Sequence, residues 1–179
     1  MGVWGVVVFS DDLACDLREE YRDLTKMATR QHGGHKLATM FSERAKSVLA
    51  QSHTESVRLR HDATGSGHIL LAILREADGR AADILTALGI DRDDAAARVL
   101  ARLGPGTRTA EISELAYAKD GKGVLGKAIA IAAELGDSVV GVEHLLAGLL
   151  AVEDGDGGQV LMSMGLTAAA VRARLRRER

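Results

Sequence analysis

The chain has 179 residues and a formal net charge of −2 at neutral pH, which excludes the broad basic surface of a typical nucleic-acid-binding protein. Aromatic residues make up 3% of the sequence and there is one proline, a composition that favours helices. The single cysteine, Cys15, excludes an internal disulfide and indicates a reducing compartment. No apolar run approaches the ~20 residues that span a bilayer, and the chain does not start like a secretory signal. We therefore expect a cytoplasmic protein.

Residues 1–39 form a predicted N-terminal extension. The Ser-Asp-Asp sequence at 10–12 resembles a helix start, because such side chains cap helices and acidic groups suit the positive end. Gly33 and Gly34 end the helical pattern. We predict one helix in this extension, otherwise flexible or docked, with an apolar stripe made of Leu13, Leu17, Tyr21, Leu24 and Met27.

The remainder of the chain aligns with itself, without a gap, at an offset of 76 residues. Residues 65–74 lie over residues 141–150, and each segment has a Gly-x-x-His sequence followed by apolar residues. Matches at one fixed spacing over about sixty positions indicate a duplicated unit. A duplicated small bundle presents two similar surfaces or one composite groove, which favours a binding module over an enzyme.

The Gly-Pro-Gly sequence at 104–106 cannot continue a helix. We therefore place the boundary between the repeats there. We predict repeat one over 40–103, a linker over 104–110 and repeat two over 111–179. Apolar periodicity and capping residues predict an all-α fold in which two tandem four-helix repeats form one domain over 40–179. The predicted helices cover about 42–60, a segment opening at Gly65-Ser66, 81–88 and 93–103, then about 122–135, 142–151, 158–164 and 168–177.

The glycines that open repeat two almost spell a nucleotide-binding loop. Residues 121–128 match a Walker A sequence except that Ala128 replaces the hydroxyl residue that holds magnesium. By the repeat register this segment is the first helix of repeat two, so we expect no nucleotide cofactor. Each glycine costs ~1 kcal/mol relative to Ala inside a helix, so we expect a frayed helix start at Gly121, Gly123 and Gly126.

Several sequence motifs resemble one family. Phe-Ser-Glu-Arg-Ala-Lys at 41–46 and the Gly-x-x-His segments at 65–68 and 141–144 are similar to the double Clp repeat at the N-terminus of Clp/Hsp100 unfoldases of the ClpC/ClpA type. The resemblance covers roughly residues 40–178 and implies a pseudo-twofold helical domain. In full-length relatives this domain sits on a hexameric ATPase, recruits substrates and adaptors, and passes substrates to a protease.

The resemblance implies a non-catalytic function. The relatives continue into ATPase modules and this sequence ends at Arg179, so we expect a stand-alone Clp repeat protein without enzyme activity. It would act as an adaptor, accessory factor or competitor of a ClpC-type unfoldase–protease by binding adaptors, substrates or N-domain-targeting peptides. A direct receptor for marked or damaged proteins and a sequestering protein for cyclic-peptide antibiotics remain alternatives. We expect no metal site, since His68 and His144 resemble buried structural histidines.

The resemblance also implies a ligand site in each repeat, where a hydroxyl near the first helix and a glutamate before the histidine bind phosphorylated arginine. Ser42 keeps the hydroxyl in repeat one, but Gly67 replaces the glutamate. Glu143 keeps the carboxylate in repeat two, but Ala118 replaces the hydroxyl. We expect two degenerate half-sites with one group each; alternatively, Ser42 is only a helix cap and Glu143 only a first-turn acid.

A pair of aromatic residues recurs across the repeats. Phe41 and Tyr117 occupy equivalent positions, and we expect them to form a surface for peptides or adaptors. The alternative is that both rings pack between the two bundles.

Overall fold

The computed structural model describes residues 40–108 and 116–177, and these ranges are largely helical. The predictions for residues 1–39 lie outside the described residues. Within those ranges no helix is long and apolar enough to cross a membrane. The elements are α1 (Glu43–Arg58), β1 (Ala63–Thr64), α2 (Ser66–Arg75), α3 (Arg80–Ala87), α4 (Arg92–Leu103), β2 (Ala116–Tyr117), α5 (Lys119–Leu135), α6 (Val142–Leu149), α7 (Asp156–Ser163) and α8 (Ala168–Arg177).

Capping residues set most of the helix ends as the sequence predicts. The Ser42 hydroxyl accepts a hydrogen bond from the Ala45 amide at 3.1 Å and begins α1. Arg60 has a φ of 62°, and this left-handed conformation ends the segment that follows α1. Except at the start of α5, the observed bounds lie within about two residues of the predicted ones.

The predicted start of α5 near Lys122 is wrong, because the helix begins one turn earlier and runs through all three glycines. A Cβ at Gly121 would lie 2.4 Å from the Thr64 carbonyl oxygen, so a glycine is needed where α5 approaches β1. The glycines at 121 and 126 are buried. Since the segment is helical, its geometry is not that of a phosphate-binding loop, in agreement with the repeat register.

Two short parallel pairings join the repeats in a reciprocal way. Thr64 pairs with Tyr117 between β1 and β2, and Phe41 pairs with Val140 in an isolated bridge. Adding 76 to Phe41 gives Tyr117, and adding it to Thr64 gives Val140, so the two pairings are pseudo-twofold equivalents. As a consequence, the first helix of each repeat begins beside the second helix of the other repeat.

A single hydrophobic core extends through both repeats. Leu70 on α2 and Leu146 on α6 are fully buried, and the two helices contact each other at the centre. Burial of this apolar surface is the main favourable term for folding. The repeats therefore stabilise each other, and any site at their boundary is built on helices that the shared core holds in place.

Candidate functional site

The exchanged pairings bring Ser42 and Glu143 to one cavity of about 390 Å³. Ser42 precedes α1, Glu143 lies in the first turn of α6, and the Phe41–Val140 bridge holds the two helix starts together. We call this space the inter-repeat cavity; its lining includes Ser42, Arg44, Arg80, Val139, Val142 and Glu143.

This arrangement corrects the predicted grouping of the ligand residues. The sequence comparison assigned Ser42 to one half-site and Glu143 to another, because it treated each repeat as a separate unit. In the structure the hydroxyl of repeat one and the carboxylate of repeat two line the same cavity. One position therefore keeps both groups, and the other position keeps neither, since Gly67 and Ala118 replace them.

The Glu143 carboxylate is held inside the cavity and is only partly accessible. Its side chain is 18% exposed and folds back over Gly141, where an added Cβ would lie 2.3 Å from Oε2. Arg80 Nη1 lies 3.9 Å from Glu143 Oε1. A carboxylate in this position is suited to accept paired hydrogen bonds from a guanidinium group.

Two arginines and a helix N-terminus lie near the same carboxylate, together with the acidic residues Glu76 and Asp78. Arg44 pairs with Glu76 at 2.8 Å and keeps a side chain that is 53% exposed. Arg80 Nη2 donates to the Leu175 carbonyl at 2.6 Å, which fixes its guanidinium at the cavity wall. The α6 N-terminus also faces this region, and the first amides of a helix have no partners within that helix. The cavity therefore combines two arginines and a helix N-terminus with three carboxylates, those of Glu76, Asp78 and Glu143, of which Glu76 is paired with Arg44.

The equivalent position in the other half, which we call the second pole, is closed. Asp120 Oδ2 accepts a hydrogen bond from the Ser66 amide at 2.9 Å, so the protein's own carboxylate occupies the α2 N-terminus. A Cβ at Gly67 would lie 3.0 Å from the methyl groups of Leu103. In addition, the Gly157 amide donates to the buried Ser66 hydroxyl at 3.1 Å and draws α7 against α2. These contacts fill the second pole, which also lacks both predicted ligand groups, the hydroxyl and the glutamate.

Phe41 and Tyr117 are buried, with 2% and 6% of their surface exposed. The expected exposed aromatic surface is therefore wrong, because both residues lie in the pairings that join the repeats. The Tyr117 ring centroid is 4.6 Å from that of His53, and burial raises the pKa of Tyr117. Their positions fit the alternative that the rings pack between the two bundles.

His68 and His144 are buried at the starts of α2 and α6. The Nδ1 atom of each accepts a hydrogen bond from the amide of the preceding helix cap, Gly65 at 3.0 Å and Gly141 at 2.9 Å. In the neutral form the proton is therefore on Nε2. The Gly-x-x-His sequence is thus a capping motif, and sequence reasoning had identified its histidines as structural without the reason.

The two histidines differ in what their Nε2 atoms contact. His144 Nε2 lies 3.0 Å from Asp137 Oδ2, whereas His68 Nε2 lies 2.8 Å from His61 Nδ1. Burial and, to a smaller extent, the charge of a protonated His61 lower the pKa of His68 to about 4. Over 40–108 and 116–177, no group of three or more metal-binding side chains is arranged to hold an ion.

The fold and the inter-repeat cavity define a two-repeat helical domain. The chain belongs to the Clp repeat N-terminal domain family, whose profile matches residues 40–177. It is 36% identical over 127 residues to the negative regulator of genetic competence ClpC/MecB of Bacillus subtilis (strain 168), a match that covers 71% of this chain and 15% of the relative. It is 37% identical over 127 residues to chaperone protein ClpB of Oceanobacillus iheyensis, covering 71% of this chain and 16% of that protein.

Solved structures agree on the fold. The N-terminal domain of ClpD from Arabidopsis thaliana superposes with a TM-score of 0.61 at 22% identity, covering 79% of this chain and 95% of that one. The N-domain of ClpV from Vibrio cholerae gives a TM-score of 0.66 at 12% identity, covering 86% and 87%. The chain is thus a Clp-related protein-interaction domain, and it spans about one sixth of the length of the curated relatives it matches.

Proposed function

We propose that this domain recognises a side chain that carries both a guanidinium and a phosphate, and that it does so at one site, the inter-repeat cavity. Phosphorylated arginine, the ligand implied by the Clp resemblance, has this chemistry. The observation that supports the proposal is that Ser42 and Glu143 line one cavity although they belong to different repeats.

The cavity offers a separate contact for each half of such a ligand. The Glu143 carboxylate accepts hydrogen bonds from the guanidinium, which is the paired geometry that arginine groups favour. The phosphate lies toward the Ser42 hydroxyl and the α6 N-terminus, where amide groups and the helix dipole favour an anion. Arg44 and Arg80 line the same cavity and add positive charge, which offsets the acidic residues Glu76 and Asp78 of the lining. Neither free arginine nor free phosphate satisfies both sets of contacts.

The second pole supports a stoichiometry of one ligand per chain. Its helix N-terminus is already bonded to Asp120, and Leu103 lies against Gly67 where the other cavity has a glutamate. A bound phosphate there would face the Asp120 carboxylate instead of Arg44. The negative charges of a phosphate and of the Asp120 carboxylate would repel each other, so this pole disfavours the ligand.

In the cell we propose that the domain acts on the client side of a Clp protease, as an adaptor, accessory factor or competitor that binds marked proteins or Clp adaptors. The cavity favours direct recognition of marked proteins over the sequestering of cyclic peptides, because the aromatic pair proposed as a peptide surface is buried. A pull-down separates these roles. Clp subunits or adaptors indicate the first role, diverse clients indicate a direct receptor, and neither indicates a sequestering protein.

Calorimetry with free phosphoarginine tests the ligand. We expect one site in the wild type, and a tenfold to hundredfold loss of affinity in Glu143→Gln, which corresponds to the ~1.5–3 kcal/mol of a hydrogen bond to a charged group. Glu43→Gln is the matched control, because Glu43 lies beside Ser42 in sequence with a side chain that is 91% exposed. Equal affinity in the wild type and Glu143→Gln would refute the assignment.

A further inference from the structure

Val139 is an exposed apolar side chain at the mouth of the inter-repeat cavity. It is 41% exposed, and among the residues that the structure describes it and Met162 are the large hydrophobic residues left exposed. Val139 also lines the cavity, together with the buried apolar residues Ala81 and Val142. The lining of the charged cavity therefore includes two buried apolar residues and one exposed apolar residue, Val139, which we place at its rim.

The backbone next to Val139 is held firmly. The Val140 amide donates to the Met40 carbonyl at 2.7 Å, and the Val140 carbonyl accepts from the Ser42 amide at 3.0 Å. Val139 lies in the bend directly before this bridge, and it is 41% exposed whereas Val140 is 3% exposed. Because this backbone is already held in place, contact with the Val139 side chain costs the protein little conformational entropy.

A second residue of the ligand must lie close to this rim. If a modified arginine of a protein chain places its guanidinium at Glu143, its backbone lies at the other end of the side chain, toward the exposed part of the lining. Val139 is the exposed apolar residue of that lining, so we infer that a side chain adjacent to the arginine contacts it. Removing apolar surface of both groups from water favours an apolar neighbour over a polar one.

We propose that Val139 forms a specificity subsite that selects an apolar residue next to the modified arginine. This inference rests on the proposed function, since it needs an arginine-type side chain in the cavity. It adds a sequence preference that the charged groups alone do not provide. The second pole has Ala63 at the equivalent position, so the subsite belongs to one side of the domain.

The test compares two short phosphoarginine peptides that differ only in having Leu or Ser on both sides of the modified residue. We expect the wild type to bind the Leu peptide three- to tenfold more tightly, a difference of about 0.7–1.4 kcal/mol. Val139→Ser should abolish this preference. Met162→Ser is the matched control and should keep it, because Met162 is 42% exposed and does not line the cavity.

Free phosphoarginine is measured with the same proteins, so that the two proposals fail in different ways. Unchanged affinity for the free amino acid in Val139→Ser, with loss of the peptide preference, supports the subsite. Wild-type protein that binds free phosphoarginine but does not distinguish the peptides overturns the subsite alone, as does an equal preference in Val139→Ser. No binding of free phosphoarginine to the wild type overturns the proposed function and the subsite with it.

Discussion

Arg44 and Asp120 occupy equivalent positions in the two repeats and carry opposite charges. Arg44 lines the inter-repeat cavity, while Asp120 bonds to the α2 N-terminus at the second pole. Arg80, which lines the cavity, and Asp156 are also equivalent in the two repeats and also carry opposite charges. Asp156 pairs with Arg102 at 2.6 Å. A duplicated scaffold thus has two arginines at one pole, where we propose that a phosphate binds, and two aspartates at the equivalent positions of the other pole.

The first prediction is that Ser42→Ala and Glu143→Ala weaken the same binding event. Since both groups line one cavity, each variant should lower the affinity of the single site while the stoichiometry stays at one. Ser42→Ala should also lower the free energy of unfolding by about 1 kcal/mol, because it removes the cap of α1. Ser42→Thr is the control that keeps a hydroxyl. Two independent half-sites, each lost in only one variant, would contradict this view.

The second prediction concerns Gly67→Glu, which restores the glutamate that repeat one lacks. We expect no second bound ligand, because Asp120 occupies the helix start and Leu103 lies 3.0 Å from the new Cβ. Overpacking of this kind costs about 1–3 kcal/mol, so the melting temperature should fall. Thermal unfolding and calorimetry check both statements. A stoichiometry of two in Gly67→Glu would show that the second pole is open in solution.

The third prediction uses Gly141 to move Glu143 without changing it. Gly141 has a φ of −90°, which alanine adopts without strain, but the new Cβ would lie 2.3 Å from Glu143 Oε2. Because the carboxylate is at the end of a flexible side chain, it should shift while the fold stays intact. We expect roughly tenfold weaker phosphoarginine binding, the loss of about one charged hydrogen bond.

Gly65→Ala is the matched control for Gly141→Ala. Gly65 is the equivalent helix cap, with a φ of −91°, and its new Cβ would meet Asp120 Oδ1 at 3.1 Å, away from the inter-repeat cavity. Binding should therefore match the wild type. If both variants lost affinity equally, the effect would arise from general loss of packing at the helix starts and not from the Glu143 carboxylate.

The helices and the repeat were predictable from the sequence, because apolar periodicity and the 76-residue offset extend over many residues. The position of Ser42 and Glu143 at one cavity was not predictable in this way. It depends on the single bridge between Phe41 and Val140, and so short a pairing leaves no periodic pattern. The need for a glycine at position 121 was also not predictable, because it comes from one close approach to the Thr64 carbonyl of the other repeat.

The last prediction concerns pH. Burial lowers the pKa of His53 and of His68 from 6.5 to about 4. Between these values the unfolded chain binds more protons than the folded one, so the free energy of unfolding falls as the pH drops from 6.5 to 4. At 1.36 kcal/mol per unit, each histidine contributes a loss of roughly 2–4 kcal/mol across this window. Thermal unfolding followed by circular dichroism at several pH values measures the slope.

His61→Asp isolates the contribution of His68. The substitution gives His68 Nε2 a carboxylate neighbour, the arrangement that Asp137 and His144 already have at 3.0 Å. An adjacent negative charge stabilises the protonated imidazole, so the pKa of His68 should rise and the loss of stability between pH 6.5 and 4 should become shallower. Identical slopes in the wild type and His61→Asp would mean that the protonation of His68 does not control acid stability.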